Sequence, residues 1–256
     1  MVIFSFISEV KFGRINEMSK ECLVVPTQKV VDARLIPNDV TGKALYTKLS
    51  EVGGAPVVYK LAREFGEYRP RYGDGGVESD HSFQQLIMYA FALKDGRVLV
   101  YQRDTTGEHS DKRLSGKISV GIGGHMDPTD LSLEDSLWRE LDEEAEIEVD
   151  NNPVSFRGDT GQLDIEAMKR LIDIEPVGLL KDGRDDVGMV HLGIICRITT
   201  REQNVEVRLK TGEEAVNFSY LMYSEYEEMV LRGEVTPEGW TEIVVDNEIK
   251  SILRGS

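Results

Sequence analysis

The 256-residue chain predicts a mixed α+β fold, with helices on both faces of a mixed β-sheet and an N-terminal extension. Three observations carry that expectation. Apolar runs of strand character alternate with stretches of helical periodicity along most of the chain. Lys94-Asp95-Gly96 joins two strand-like runs, and Asp-Gly suits a tight hairpin turn. Leu133, Leu137, Leu141 and Ala145 recur every four residues beside Trp138, which is the apolar stripe of a helix packed on a core.

In chain order, Glu21 to Pro26 reads as a strand, and Ala44 to Val52 and Val57 to Phe65 read as helical. Gly66 to His81 is rich in glycine and charge, and is the best linker candidate. Gln85 to Leu93 and Arg97 to Gln102 are the two strands of the hairpin. A helix is expected over 131–146, capped by Ser132 with Asp135 three residues on, Asp130 being a competing cap. A polar stretch, Asp150 to Gln162, leads to a helix at Ile165 to Ile172. Strands follow at Pro176 to Leu180, Met189 to Thr199 and Val205 to Leu209, then helices at Glu225 to Leu231 and Trp240 to Leu253. Residues 1–80 are read as an extension, its first 17 residues weakly ordered or preceding an alternative start at Met18. Residues 81–256 are read as the core domain with C-terminal helices.

Composition points to a soluble, cytoplasmic enzyme. No run of about 18 apolar residues signals a membrane span. The apolar opening segment lacks a basic start and contains Glu9, unlike a signal peptide. Cys22 and Cys196, far apart in apolar contexts, read as reduced and buried. A net charge of −16 argues against a general nucleic-acid binder but not against a small nucleotide, whose phosphates metal ions neutralise locally.

The chemistry concentrates in residues 139–147, Arg-Glu-Leu-Asp-Glu-Glu-Ala-Glu-Ile. Glu140, Glu143 and Glu144 are offset by three and four, so a helix gathers them within an arc of about 100°. Packed negative charge destabilises a helix unless something neutralises it, and hard cations such as Mg2+ or Mn2+ prefer oxygen ligands. The plainer reading is a solvated acidic helix with ordinary ion pairs, Arg139 pairing with Asp135 or Glu143. Upstream, Gly121, Gly123 and Gly124 permit close backbone approach and let a main-chain carbonyl face a metal or phosphate. Arg103, Lys112, Arg113 and Lys117 gather just before these glycines, as a solvated basic loop or as contacts to substrate phosphates. Glu213 and Glu214 follow Lys210-Thr211-Gly212 in a predicted turn. His125 and His191 are weaker candidates still, a lone His on the apolar strand of Met189 to Ile195 being more often a satisfied core residue.

Gly-Gly-His, a short loop and Arg-Glu-Leu-x-Glu-Glu together resemble the signature of the Nudix (MutT-like) hydrolase superfamily, Gly-x5-Glu-x7-Arg-Glu-U-x-Glu-Glu-x-Gly-U with U a bulky aliphatic residue. Gly124 opens it, and Arg139, Glu140, Leu141, Glu143, Glu144 and Ile147 match its second half. There are three departures. Asp130 replaces the first Glu, eight residues rather than seven separate it from Arg139, and Glu146 replaces the final Gly. The resemblance spans roughly Ser82 to Gly233 and more loosely is similar to an uncharacterised predicted-phosphoesterase branch, through Gln84 to Tyr89, Tyr101-Gln102-Arg103 and Arg113 to Lys117.

The resemblance implies an α/β/α sandwich and hydrolysis of a diphosphate linkage in a nucleoside diphosphate derivative by a metal-activated water. It implies that Glu140, Glu143, Glu144 and the Gly123 carbonyl hold Mg2+ or Mn2+, and that Arg139 orients the glutamates. Arg103, Arg113 and Lys117 then contact phosphates, and a helix glutamate such as Glu143, or Glu214 in its loop, serves as base. Replacing Arg139 by Ala is expected to reduce turnover more than stability. The extension shapes the pocket or supplies a homodimer contact. A catalytically silent domain that binds a nucleotide and regulates a partner is the competing class, although such domains usually lose the Glu-x-x-Glu-Glu ligands. An isopentenyl-diphosphate isomerase would need a catalytic Cys, whereas Cys22 and Cys196 lie outside the matching positions. The four-Cys zinc module of NADH pyrophosphatases cannot be built from two cysteines.

Overall fold

The computed structural model describes residues 21–103, 114–210 and 215–254. The described chain opens with β1 (Glu21–Pro26), α1 (Thr27–Asp32), β2 (Ala44–Lys48), α2 (Ala55–Phe65) and β3 (Glu67–Pro70). A long β4 (Phe83–Lys94) turns into β5 (Arg97–Arg103). The short β6 (Ile118–Ser119) and β7 (Gly121–Ile122) then precede α3 (Leu133–Glu144). Next come β8 (Ala145–Val149), β9 (Asn152–Pro153), α4 (Ile165–Lys169), β10 (Ile172–Asp182), α5 (Asp186–Val190) and β11 (His191–Thr200). β12 (Val205–Leu209), β13 (Ala215–Leu221), α6 (Tyr223–Leu231), α7 (Gly239–Val244) and α8 (Lys250–Arg254) complete it, with a π-helical turn, Val245–Ile249, between the last two helices.

The main sheet runs β13-β5-β4-β11-β10-β2 and is mixed: β4 and β11 are parallel, while its other neighbours are antiparallel. β1 adds to the start of β4 and carries β3 on its other edge. β7 pairs with the middle of β4, and β6 with β5. A smaller sheet, β12-β8-β9, stands apart.

Alternation along β4 shows why the sheet needs cover on both sides. Leu86, Met88 and Ala90 enter one apolar cluster with Leu137, Trp138 and Leu141 of α3 and Val58 and Leu61 of α2. Tyr89 and Phe91 enter another with Tyr226 of α6 and Ile243 and Val244 of α7. Successive side chains of a strand point to opposite faces, so a central strand with both sets apolar must be sandwiched. Leu137 and Leu141 are buried, each contributing about 1.5–3 kcal/mol relative to exposure. The hairpin expected at Lys94-Asp95-Gly96 is present, with Asp95 and Gly96 both at positive φ, as a type I′ turn requires.

Two expectations are corrected. Ala44 to Val52 is not a helix: Ala44–Lys48 is β2, paired with Gly178 to Asp182 of β10, followed by a 3-10 turn at Leu49–Glu51. Ladder pairing with a partner some 130 residues away, invisible to local pattern, decides that segment. The helix expected to reach Ile172 stops at Lys169, because Ile172 pairs with Thr200 as the first residue of β10. No helix among the described residues is long and apolar enough to cross a membrane.

Candidate functional site

Helix α3 begins where the Ser132 side chain accepts a hydrogen bond from the Asp135 N–H at 3.1 Å, satisfying one free donor of the first turn. It ends without a left-handed cap. Ala145 is extended, and Glu146 continues directly into β8, opposite Arg208 of β12. The missing signature glycine therefore costs nothing here, since no positive φ is required. Upstream, the Asp130 side chain accepts from the Asp127 N–H at 2.8 Å in a turn before the helix.

Arg139 ties this loop to the helix. Its guanidinium donates to both oxygens of Asp130 at 3.0 Å, to the His125 carbonyl at 3.0 Å, to Glu140 at 2.9 Å and to Glu143 at 3.2 Å. Burial disfavours its charge, but the hydrogen bonds of Asp130 and the charges of Glu140, Asp130 and Asp127 hold it above the ordinary arginine value. Burial pushes the Glu140 carboxyl up to about 7; Arg139 opposes this, while Glu143 and Asp127 add to it. Glu143 is half exposed.

The glycine pair sits against the same carboxylates. The Gly123 N–H donates to Glu144 at 3.3 Å. Gly123 has φ +139°, and a Cβ there would lie 2.1 Å from the Met88 carbonyl, so only glycine fits. At Gly124 a Cβ would lie 2.6 Å from Glu140 Oε1. Among the described residues, no three histidine, cysteine or carboxylate side chains converge as a ready cation cage.

Gly123 and Gly124 form part of the wall of a cleft of about 410 Å³, which also carries Arg103, Lys117, His125, His191 and Trp240. The three signature glutamates are not themselves wall residues of this cleft. Arg103 donates through Nε to the buried Glu238 at 2.8 Å. Glu238 also accepts from Ser119 at 2.6 Å and Tyr89 at 3.0 Å. Arg113, Glu213 and Glu214 lie outside the described residues.

His125 and His191 are far apart in the sequence, but sheet register brings them together. His191 is the parallel partner of Gln85, and His125 bridges Ile87 two residues further along β4. The two Nε2 atoms are 3.3 Å apart. Gln85 donates to the Val77 carbonyl and to Glu78, so its oxygen is left to accept from Cys22 and His125. His191 Nδ1 lies 2.6 Å from the Val187 carbonyl and therefore carries the proton, and burial holds this ring below the ordinary histidine value. Beside the pair, Lys181 is fully buried and donates to Gln84 and to the carbonyls of Gly188, Met189 and His191, fixing the turn that presents His191.

No family model matches the chain. Protein YmaB of Bacillus subtilis (strain 168) is 27% identical over 236 residues, which is 91% of this chain and 98% of that protein. The crystal structure of Tm1382, a candidate Nudix hydrolase, superposes with a TM-score of 0.62 at 19% identity, covering 91% of this chain and all of that one. The chain therefore shares the fold of that structure, a mixed sheet covered by helices, over 91% of its length.

Proposed function

We propose that the chain is a metal-dependent hydrolase of a diphosphate linkage in a nucleoside diphosphate derivative, with water attacking phosphorus. The observation that supports this best is the arrangement around Arg139. One guanidinium holds Asp130, Glu140 and Glu143, while Gly123 and Gly124 rest on Glu144 and Glu140. The donor set is all oxygen and fits a hard divalent cation in kind. Glu140, Glu143, Glu144 and the Gly123 carbonyl would hold the ion. Bound Mg2+ or Mn2+ supplies neutralisation of phosphate charge and a lowered water pKa. Arg139 orients the carboxylates, the glycine pair allows close approach of the substrate's phosphates, and Lys117 faces the cleft to meet them. Arg103 is held at the wall by Glu238, which fixes its orientation. A glutamate of α3, Glu143 being the most exposed of those bound by Arg139, takes the proton of the attacking water; Glu214 is the alternative base.

A second reading, a catalytically silent nucleotide-binding domain, has one specific support: the three signature glutamates are not wall residues of the cleft. One panel separates the two readings. Nucleoside triphosphates, ADP-ribose, dinucleoside polyphosphates, nucleotide sugars and CoA are screened with Mg2+ or Mn2+ for both turnover and thermal shift. The hydrolase is expected to release a phosphate-containing product with at least one class and to lose that activity in excess chelator. Ligand-induced stabilisation without any product would sink the hydrolase.

A related expectation concerns Gly124. A methyl group there displaces the flexible end of Glu140 rather than backbone, so Gly124→Ala should keep its melting temperature within a few degrees. Turnover should nevertheless fall about tenfold to a hundredfold, because an ångström of misplacement at the ligands is enough. Unchanged turnover would remove Glu140 from the site.

A further inference from the structure

We propose that Arg71, supplied by the segment that precedes the core, is an anion-binding group of the cleft and takes an oxyanion of the substrate, a phosphate or a carboxylate. The inference rests on the reading of this cleft as the substrate cleft, but not on any hydrolytic step.

Among the described residues, the acids of the wall are all committed. Glu238 accepts from Arg103, Ser119 and Tyr89. Asp182 takes the fork of Arg184 at 2.8 and 2.7 Å. Asp185 caps α5 through the Gly188 N–H at 2.7 Å, and Glu78 accepts from Gln85 at 3.2 Å. Arg103 is likewise spent on Glu238. Arg71 keeps donors to spare: it is ion-paired with Glu78, but among the described residues its side chain makes no hydrogen bond, and its Nε is buried without a partner. Its nearest acid, Glu78, stands 3.6 Å away, beyond a good hydrogen bond.

A guanidinium carries five N–H donors, and desolvated donors without partners are costly unless a ligand or water meets them. Arg71 is also pre-oriented. Its guanidinium lies 4.9 Å from the centre of the Tyr72 ring, and its side chain retains 23% of its exposure at the cleft wall. A rigid planar fork held in one orientation is the group that recognises the paired oxygens of phosphate or carboxylate.

The position of Arg71 is coupled to the glycine pair. Glu78 is fixed by Gln85, Gln85 accepts from His125, and His125 follows Gly124 directly. An anion seated on Arg71 is therefore in the same cleft as Gly123 and Gly124. Lys117, on the same wall, makes no side-chain hydrogen bond among the described residues and is the natural second cation. The stretch read from sequence as a linker thus contributes to the site.

The test is calorimetric titration of the full chain, stripped of metal and dialysed, with inorganic pyrophosphate and separately with malonate. Wild type is expected to bind one of the probes, pyrophosphate if the oxyanion is a phosphate and malonate if it is a carboxylate. Arg71→Met should weaken that binding at least about tenfold, as loss of a charge-assisted pair requires, with the melting temperature of the free protein unchanged. Arg71→Lys, which keeps the charge and loses the fork, should fall between the two, and it carries the test if Arg71→Met does not fold. Equal affinity in all three proteins, or no binding of either probe by wild type, overturns the proposal. Arg71-dependent binding in a protein that turns over nothing would leave it standing while the hydrolase reading fails.

Discussion

Replacing Glu144 by Gln is expected to lower turnover on the order of a thousandfold while leaving the fold intact. Gln keeps the size of the side chain, and its amide oxygen can still accept the Gly123 N–H that now reaches Glu144 at 3.3 Å. What it loses is the negative charge. A bound cation contributes several kcal/mol of transition-state stabilisation, and about 1.4 kcal/mol corresponds to each decade of rate. The Mg2+ concentration for half-maximal rate should rise in parallel, and Glu140→Gln should behave similarly. Steady-state kinetics across a Mg2+ titration read both effects. Turnover within threefold of wild type at all Mg2+ concentrations would exclude Glu144 as a ligand and return α3 to the status of a solvated acidic helix.

The parts of the molecule legible in the sequence are those whose cause is local. The stripe of Leu133, Leu137 and Leu141 and the Ser132 cap define α3 within a few residues of the expected bounds, and the stripe is buried as its spacing requires. Asp-Gly positions the hairpin for a reason contained in two residues. Where the cause is distant, the sequence misleads. Ala44–Lys48 has a pattern that suits a helix, but it extends because β10 offers it an edge. Ala145–Val149 follows the signature helix without a turn because β12 pairs with it, and that is why Glu146 needs no glycine-like backbone.

The site divides along the same line. Counting along the helix pairs Arg139 with Glu143, but the other partner it offers, Asp135, is not taken: Arg139 goes to Asp130 in the loop and to Glu140 instead. The His125–His191 contact depends on β4, β11 and the segment after β7 being aligned, and no count along the chain reveals it. The committed state of Arg103 depends on Glu238, 135 residues away. Arg71 was legible only as a charge in a glycine-rich stretch; its setting comes from β3 pairing with β1, which holds that stretch beside β4.

Arg139→Ala is expected to abolish measurable turnover and, contrary to the sequence expectation, to damage the fold as well. The reason is Asp130, whose side chain is only 6% exposed and whose two oxygens are both met by Arg139. Removing one partner of a buried ion pair leaves the other uncompensated, at a cost of about 3–5 kcal/mol. The His125 carbonyl also loses its donor, so the loop from the glycines to the helix is released. Loss of activity in that variant alone therefore cannot separate positioning from unfolding. Arg139→Lys separates them, since it retains a charge beside Asp130 but cannot reach Asp130, Glu140 and Glu143 together. It should lose only about 1–2 kcal/mol in a denaturant titration, far less than the Ala variant, yet lower kcat about tenfold to a hundredfold, the usual effect of disturbing the groups that orient metal ligands. KM should change little, because Arg139 is not a wall residue of the cleft. A lysine variant with wild-type kcat would show that Arg139 serves the loop alone and that the carboxylates of α3 need no organiser.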